Sequence, residues 1–339
     1  MIVTSEDSMR LYNKMVNNPS NAPTVQMKHR HHDPYRKTGK NMVAIVHTEN
    51  REHGIKRAVQ LLGGMNPMLK DLRGKILIKP NCNTDDPYPR DTHHNTIKTI
   101  AELLLESGVK PDNIVVGDMS GRARGLPTRA TMENLGITKV VEELGIHSSY
   151  FDEEDWVTVK PPSAQYWPEG LRIPKTVYEA DRIIFTPILR SHSTATFTCS
   201  LKLGVGLIDA EMREWLHNGE NFYEKMMDIN QAYQVDMVIA DAIKMNTGYR
   251  TDPEDEVEPK IITASNDMVA SDAVSAALMQ RYGTVRVVDF STSEQKQFRL
   301  AEKLGLGKAD LSEIELTQHD MIQDDDFPEL INFIRAELS

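Results

Sequence analysis

The chain has 339 residues, of which 40% are hydrophobic and 26% charged, a composition typical of a soluble globular protein. Its formal net charge of -11 argues against a nucleic acid or an anionic membrane as the main partner, because both repel an acidic surface. We therefore expect a small-molecule substrate, no nucleic-acid partner, no membrane partner and a cytoplasmic location. A homo-oligomer is compatible with the sequence.

Two cysteines, Cys82 and Cys199, limit the redox chemistry of the chain. An iron–sulfur cluster takes about four thiolate ligands, so we expect no iron–sulfur cluster. Two reduced thiols in a cytosolic protein are the simplest interpretation. We also expect no signal peptide and no membrane span, because no apolar run approaches the roughly 18–20 residues that cross a bilayer.

Residues 1–40 are polar and show no clear hydrophobic periodicity, which predicts an N-terminal extension. The segment ends in MKHRHHDPYRKTGK and contains His29, His31 and His32. These histidines are either a metal-ligand cluster or part of a solvated basic arm. The arm is the favoured interpretation, because neighbouring side chains in an irregular segment rarely converge on one ion.

From residue 41 onward the pattern changes to alternating strands and helices. Short β-type runs and amphipathic helical runs follow one another, bounded by Gly, Pro or polar residues. The predicted strands are 42–47, 74–80, 113–118, 182–187 and 235–241, and the predicted helices are 54–65, 95–108, 265–283 and 294–307. This alternation predicts an α/β fold with a mostly parallel sheet and helices on both faces.

Two less regular segments set the predicted domain boundaries. Residues from about 120 to 180 lack the alternation and are predicted to form a long irregular excursion over the strand ends. Residues 319–339 are predicted to form an acidic linker and a C-terminal helix. We therefore expect an extension at 1–40, an α/β domain at 41–318 and this C-terminal segment.

Polar side chains follow four of the predicted strands: Asn81, Asp118, His192 and Asp241. Because ligands of open α/β sheets bind beyond the carboxyl ends of the strands, we expect these side chains to converge. A mixture of carboxylate and imidazole suits a divalent metal or an acid–base pair. Asp118, His192 and Asp241 are therefore candidate metal ligands, although an Asp after a strand is also a common helix cap or turn former.

The segment ILRSHSTATFTCSLKLGVGLID, residues 188–209, combines cationic side chains with many hydroxyls. Hydroxyls need hydrogen-bond partners once buried, so this composition indicates a binding site rather than plain core. The candidate substrate-binding residues are Asn81, Arg190, Ser191 and Thr194.

Three residues are candidate catalytic groups: His192, Lys202 and His94. His192 lies among hydroxyl residues, with no apolar face to absorb it. Lys202 can hold an anionic oxygen as a point charge, or act as a base if it is desolvated. His94 precedes the predicted helix 95–108, and a helix N-terminus depresses the pKa of a histidine. For His94 the alternative is an exposed loop.

The chain resembles the domain-of-unknown-function 362 family over about residues 42–316. The resemblance lies in KILIKPN, ESGVKPDNIVVGD and YEADRIIFTPILRSHSTATFTCSLKLGVGLI, with later matches in VDMVIADAI, SNDMVASDAVSAALM and AEKLGLG. Arg190 stands where the family pattern has a lysine, and Leu203 follows Lys202 where the family has asparagine. Many relatives are described as iron–sulfur-centre proteins, but this chain lacks their cysteine-rich module.

The resemblance implies the fold and the site without naming a reaction. From the residues, we expect a metal-dependent enzyme that acts on a small polar or carboxylated molecule at the carboxyl ends of the strands. Fe, Mn and Mg are the suspected divalent metals, and the class is oxidoreductase or lyase/isomerase. One alternative is a non-catalytic ligand-binding or redox-accessory protein. The other is an enzyme with a bound organic or nucleotide cofactor, tethered or clamped by Lys202.

Overall fold

The computed structural model describes residues 4–19, 21–36, 39–122, 124–248 and 252–339. The strands within these ranges are β1 (Asn41–His47), β2 (Ile76–Pro80), β3 (Ile114–Asp118), β4 (His147–Tyr150), β5 (Trp156–Val159), β6 (Leu171–Pro174), β7 (Arg182–Thr186), β8 (Ile188–His192), β9 (Thr196–Thr198), β10 (Met237–Asn246), β11 (Glu256–Val257), β12 (Ile261–Ser265) and β13 (Ile314–Asp320).

The α-helices within these ranges are α1 (Ser5–Asn17), α2 (Arg51–Leu62), α3 (Asn66–Leu69), α4 (His94–Glu106), α5 (Thr128–Asn134), α6 (Ile137–Leu144), α7 (Lys175–Glu179), α8 (Ser200–Leu203), α9 (Ala210–His217), α10 (Phe222–Ile229), α11 (Met268–Arg281), α12 (Lys296–Lys303) and α13 (Phe327–Glu337). Among the described residues, no helix combines the length and the apolar character that crossing a membrane requires.

Eleven of the described strands form one sheet, whose main path runs β13-β1-β12-β10-β7-β2-β3-β4. Neighbours on this path pair in parallel, except that β12 is antiparallel to both β1 and β10. β8 and β11 pair with β10, β9 pairs with β8, and β5 and β6 form a separate antiparallel pair. The predicted mostly parallel sheet is confirmed.

Helices cover both faces of the sheet. Successive side chains of each strand point to opposite faces, so each strand contributes apolar residues to both sides. In β2, Leu77 packs into one apolar cluster, whereas Ile76 and Ile78 pack into the other. The cluster around Leu77 contains apolar residues of α8 to α13. The other contains apolar residues of α2, α4 and α6.

Local capping sets the bounds of α2. Asn50 Oδ1 accepts the backbone N–H of His53 at 3.0 Å, so the helix begins at Arg51, before its predicted start at residue 54. The helix stops before Gly63, whose φ of +123° disfavours any L side chain.

The N-terminal segment packs onto the domain instead of extending from it. In α1, Tyr12 is 3% exposed, and its hydroxyl donates to the Ala210 carbonyl at 3.2 Å. The Ser8 hydroxyl donates to the Arg122 carbonyl at 2.8 Å and accepts the Leu126 N–H at 3.0 Å. The hydrophobic pattern did not predict α1 because its buried face is narrow.

Two other segments carry more regular structure than predicted. The stretch from about 120 to 180 contains α5, α6, α7 and the strands β4, β5 and β6, and β4 extends the main sheet beside β3. β13 crosses the predicted boundary at residue 318 and pairs in parallel with β1, and the predicted C-terminal helix is α13. The pattern did not predict β13 because most of its residues are only partly buried.

Candidate functional site

The strand order reverses between β2 and β7, which are neighbours in the sheet. From β2 the chain continues through β3 to β4 on one side, whereas β7 and β10 lie on the other. Connections that diverge at such a point leave a crevice beyond the carboxyl ends of the strands, where ligands of open α/β sheets bind. The residues that follow β2, β3 and β7 therefore define the candidate site.

A buried ion pair lies at the carboxyl ends of β2 and β3. Lys79 is 1% exposed and Asp118 3% exposed, and Lys79 Nζ lies 2.7 Å from Asp118 Oδ1. Asp118 also accepts the N–H groups of Cys82 and Met119, each at 2.8 Å. Burial lowers the pKa of Lys79, and the charge of Asp118 opposes that shift. Both oxygens of Asp118 are thus engaged within the protein.

The glycine turn after α8 lies against this ion pair. A Cβ on Gly206 would lie 2.5 Å from Asp118 Oδ1 and 2.6 Å from Lys79 Nζ, closer than real Cβ atoms approach. A Cβ on Gly204 would collide with the Tyr233 hydroxyl. The two glycines therefore allow close backbone approach, which holds α8 and the following turn beside the ion pair.

A buried carboxyl group organises the loop after β2. Asp91, 1% exposed, accepts hydrogen bonds from Asn81 Nδ2 and the Asn83 N–H, both at 2.7 Å. Burial raises the pKa of Asp91 to about 8, and the charge of Arg190 opposes that rise. The side-chain amide of Asn81, a predicted substrate-binding residue, therefore holds the loop through Asp91.

Arg190 and Thr198 occupy paired positions on β8 and β9. Arg190 Nε and Thr198 Oγ1 are both buried, and neither has a hydrogen-bond partner in the part of the chain that the structure describes. Burial lowers the pKa of Arg190. Buried polar atoms nearly always have a hydrogen-bond partner. Two buried atoms without one, on neighbouring strands, therefore favour an external ligand at this place. Ser191, in contrast, donates its hydroxyl to the Val285 carbonyl at 2.9 Å.

Lys202 is half-buried in α8, and among the described residues it makes no hydrogen bond and no ion pair. Burial and the positive charges of Arg190, Arg213 and Lys79 lower its pKa to about 7. About half of the Lys202 amines are therefore neutral at pH 7. An amine in this state can both accept and donate a proton.

His192, the last residue of β8, accepts two backbone hydrogen bonds. Its Nδ1 lies 3.1 Å from the backbone nitrogens of both Thr194 and Ala195. Burial and the charges of Lys202 and Arg190 lower its pKa, so the ring is neutral. A neutral imidazole that accepts at Nδ1 carries its proton on Nε2, which is then a donor suited to an anionic oxygen. Thr194, a predicted substrate-binding residue, is exposed and contributes its backbone N–H to this turn.

Asp241 belongs to a second polar centre on the side of α2 and α4. Its Oδ2 lies 2.5 Å from Arg51 Nε and accepts the Thr96 hydroxyl at 2.8 Å, and its Oδ1 accepts the Tyr88 hydroxyl at 2.7 Å. Asp241 is 2% exposed. The carboxylate therefore ties β10 to α2, α4 and the loop after β2.

The predicted metal ligands Asp118, His192 and Asp241 are not brought together. Asp118 pairs with Lys79, Asp241 pairs with Arg51, and His192 presents a protonated Nε2. Within the described ranges, no three or more His, Cys, Asp or Glu side chains are arranged to hold a metal ion. The prediction that Asp241 ends its strand is wrong, because β10 continues to Asn246 and Asp241 lies in its middle. The strand-end rule also could not specify the partners of these residues.

His94 lies at the start of α4, stacked on His93 with ring centroids 4.4 Å apart. Burial and the charge of Arg51 lower the pKa of His93 to about 4. The Nδ1 of His93 accepts the Asn95 N–H at 3.0 Å, so this residue caps the helix. A catalytic role for His94 stays a prediction.

The three histidines of the N-terminal segment do not form a cluster. His31 Nε2 contacts the buried Asp236 Oδ1, and its backbone N–H donates to Gln234 at 3.0 Å. His29 and His32 are exposed. His31 therefore fastens this segment near the start of β10.

The model of a protein family, described as domain of unknown function (DUF362), matches residues 76–277. This match covers more than half of the chain. The chain belongs to this family. The matched residues include Lys79, Asp118, Arg190, Lys202 and most of α11. The description of the family names no reaction.

Two individual proteins are similar to the DUF362 chain. The thylakoid-associated protein sll1697 of Synechocystis sp. is 27% identical over 252 residues, which are 70% of this chain and 74% of the relative. The structure of the lactate racemase apoprotein from Thermoanaerobacterium thermosaccharolyticum matches with a TM-score of 0.41 and 15% identity, over 65% of this chain. The match spans 54% of that racemase, about half its length, and a likeness this distant bears on no substrate or cofactor here.

The site contains residues that the sequence reasoning did not single out: Lys79, Asp91, Thr198, Arg213 and Asp272. The sequence could have indicated Lys79, because a lysine inside the apolar run KILIKP must find a partner once the strand is buried. The sequence could also have indicated Asp272, because it is a carboxylate within the predicted apolar helix of residues 265–283. Nothing in the sequence pattern indicated Arg213, whose guanidinium donates to the Ser120 and Met119 carbonyls.

Proposed function

We propose that this DUF362 protein is an enzyme that binds a small anionic molecule, such as a carboxylate, beside Arg190 and Lys202 and exchanges a proton with it. The observation that carries the proposal is a pair of buried atoms without hydrogen-bond partners, Arg190 Nε and Thr198 Oγ1. They lie near the Lys202 amine, which has no ion-pair partner in the described part of the chain. The location at the reversal of strand order supports the same conclusion.

Two cations of this site, Arg190 and Lys202, have no ion-pair partner among the described residues. Lys79 is paired with Asp118, but Lys202 has no such partner among the described residues. The two carboxyl groups whose charges act on Arg190 are Asp91 and Asp86. With a pKa of about 8, Asp91 is mostly protonated at pH 7. Asp86 forms an ion pair with Arg124.

An anionic ligand relieves the cost of this uncompensated positive charge. Half-buried cations lose hydration and repel one another, which is the cause of the lowered pKa of Lys202. A bound carboxylate supplies both the missing charge and acceptor atoms for Arg190 Nε and Thr198 Oγ1. Because a carboxylate makes Lys202 more basic, binding and protonation of Lys202 are coupled.

Each residue of the site has a distinct role in the proposal. Arg190 holds the anionic oxygens through its guanidinium, and His192 Nε2–H donates a further hydrogen bond. Lys202 gives or takes the proton, since a group with a pKa near the working pH is an efficient general acid or base. The Lys79–Asp118 pair keeps a fixed charge distribution behind Lys202.

A divalent metal is not part of this proposal, for reasons of donor chemistry. Asp118 and Asp241 are each engaged by a cation and by further donors, and His192 Nε2 bears a proton. Binding of Fe, Mn or Mg through these three residues stays a prediction from the sequence. Its test is the metal content of protein purified without a histidine tag.

The proposal is tested with small anions as probes. Binding of acetate, glycolate, pyruvate, L-malate and inorganic phosphate is measured by calorimetry. Exchange of the C–H protons of the four carboxylates in D₂O is followed by NMR. We expect wild type to bind at least one carboxylate and to exchange a proton with it faster than buffer does. Arg190→Gln should weaken binding, and Lys202→Met should abolish exchange.

Lys139→Met is the matched control, because Lys139 is an exposed lysine whose ion pair with Glu143 lies on the surface of α6. This variant should bind and exchange as wild type does. Binding without exchange in every case would favour the non-catalytic binder. Absence of binding by the whole panel, or binding unaffected by Arg190→Gln, would overturn the proposed site.

A further inference from the structure

The short helix α8 receives its N-terminal cap from another helix. Cys199, which precedes α8, makes no side-chain capping hydrogen bond. Instead, Asp272 of α11 accepts the Ser200 N–H at 2.8 Å on Oδ1 and the Leu201 N–H at 2.9 Å on Oδ2. The Ser200 hydroxyl also contacts Asp272 Oδ1. One carboxylate therefore satisfies the first N–H groups of the helix that carries Lys202.

Asp272 is unusual in its surroundings. It is fully buried, within a helix whose residues Met268 to Met279 are all buried, and it has no ion pair among the described residues. Burial raises its pKa to about 6, so it is mostly ionised at pH 7.5. An ionised carboxylate without a cation is costly in an apolar helix. Its compensation comes from the Ser200 and Leu201 N–H groups and the Ser200 hydroxyl.

The carbonyl side of α8 is held as well. Asn230 Nδ2 donates to the Leu201 carbonyl at 2.9 Å, and the Tyr233 hydroxyl donates to Asn230 Oδ1 at 2.7 Å. Ser200 and Leu201 are thus fixed by α11 on one side and by residues after α10 on the other. Lys202, the next residue, has no hydrogen bond of its own that would fix its position among the described residues.

We propose that Asp272 is a positioning residue for Lys202: by capping α8 it keeps the amine beside Arg190, Arg213 and Lys79. This inference rests on the proposed function, in which Lys202 exchanges the proton. Without the cap, α8 loosens and the four-carbon side chain of Lys202 turns towards water. The amine then leaves the cations that make it acidic, and its pKa moves back towards the ordinary lysine value.

The direction of this shift separates positioning from a simple charge effect. Removal of a negative charge near Lys202 would lower its pKa further, because the protonated amine would lose an attraction. Release of Lys202 towards solvent raises it. The charges with the largest effect on the pKa of Lys202 are those of Arg190, Arg213 and Lys79, and Asp272 is not among them. The positioning account therefore predicts a rise in the Asp272→Asn variant.

The test is competitive labelling of the full-length protein with trace acetic anhydride at several pH values, read at the Lys202 peptide by mass spectrometry. Wild-type Lys202 should titrate at about 7. Asp272→Asn should raise this pKa by a unit or more, which lowers the labelling rate at pH 7 on the order of fivefold. Ser200→Ala removes the hydroxyl contacts with Asp272 and with the Met268 carbonyl but keeps both N–H groups on Asp272, so it should produce a smaller rise.

Val274→Ala is the control for a general loss of stability, since it removes a buried side chain of α11 and leaves the cap intact. It should leave the pKa of Lys202 unchanged. A folded Asp272→Asn variant with an unchanged or lowered Lys202 pKa would overturn the positioning role alone. If Asp272→Asn does not fold, the absence of any shift in Ser200→Ala has the same meaning. A wild-type Lys202 that titrates near the ordinary lysine value would instead refute the proposed function.

Discussion

Asp86 and Asp91 share a single hydroxyl donor. The Thr84 hydroxyl oxygen lies 2.8 Å from Asp86 Oδ2 and 2.9 Å from Asp91 Oδ2, but it has one proton to donate. The second contact is satisfied if one carboxyl is protonated and donates to Thr84. Asp91 is that group, because burial raises its pKa to about 8. Burial is the largest single effect on Asp86 and opposes a lowered pKa. The hydrogen bonds from Arg124 and Thr84, with the charges of Arg124 and Arg90, together outweigh it and lower the pKa of Asp86.

Asp91→Asn should therefore imitate the protonated residue, with its amide donating to Thr84. In the folded chain the pKa of Asp91, about 8, lies above its ordinary value of 3.8, so between these pH values the folded state holds a proton that the unfolded state has released. This contribution to wild-type stability is complete below about pH 4 and is lost as the pH rises through 8.

The expected result is that Asp91→Asn gains stability over wild type between pH 5 and pH 8. Urea unfolding at both pH values measures the difference. A difference that is the same at pH 5 and pH 8 would show that Asp91 is ionised throughout this range.

Lys202→Met should remove the destabilisation that the half-buried, protonated Lys202 causes. This effect on stability depends on pH in the opposite direction to that of Asp91. The pKa of Lys202 is lowered from 10.5 to about 7, so between these values the unfolded state holds a proton that the folded state lacks. Wild-type stability therefore rises with pH across this window, and the cost is complete below about pH 7. In the absence of ligand, Lys202→Met should be more stable than wild type at pH 7, and its advantage should shrink towards pH 10. A constant advantage would mean that Lys202 titrates normally.

Asp118→Asn should destabilise the fold by about 3 kcal/mol or more, because it leaves the buried Lys79 without a counter-charge. Lys79→Met should cost less, since Asp118 keeps the N–H groups of Cys82 and Met119. The double variant should recover part of the loss. Urea unfolding of the four proteins measures these differences. If Asp118 were chiefly a metal ligand, Asp118→Asn would instead lower metal affinity and leave the apoprotein as stable as before.

Thr198→Val should raise the stability of the ligand-free protein by about 1 kcal/mol, because it replaces an unpaired buried hydroxyl by a methyl group of similar shape. It should also weaken carboxylate binding. Thr263→Val is the matched control. Thr263 Oγ1 is also buried without a hydrogen-bond partner among the described residues, but it lies in β12 and not in the β8–β9 pair that contains Thr198. This control should gain stability and bind normally. Equal binding by both variants would separate Thr198 from the ligand.

The location of the site could be predicted from the sequence, but its internal pairing could not. Strand–helix alternation predicts parallel strands, and parallel strands place Asn81, Asp118 and Arg190 at one edge of the sheet. The partners of these residues come from elsewhere in the chain. Lys79 lies 39 residues before Asp118, a separation at which tertiary packing alone decides the contact.

The same limit explains the failure to recognise Asp241 and Asp272. Asp241 looked like a free carboxylate at a strand end, but Arg51, 190 residues away, engages it. Asp272 looked like a polar residue on an ordinary helix, but it caps α8, whose Ser200 lies 72 residues away. Charge types and spacing indicate which residues need partners, whereas the partners follow from how the helices pack on the sheet.

The most direct test of the central claim is the number of protons taken up when a carboxylate binds. Calorimetric titration at pH 8, in two buffers of different ionisation enthalpy, gives this number for the carboxylate of the panel that binds best. With a pKa of about 7, Lys202 is about nine-tenths neutral at pH 8 before binding, and a bound anion raises that pKa. The account predicts uptake of a large fraction of one proton, which Lys202→Met loses. Binding without proton uptake, or uptake that persists in Lys202→Met, would contradict it.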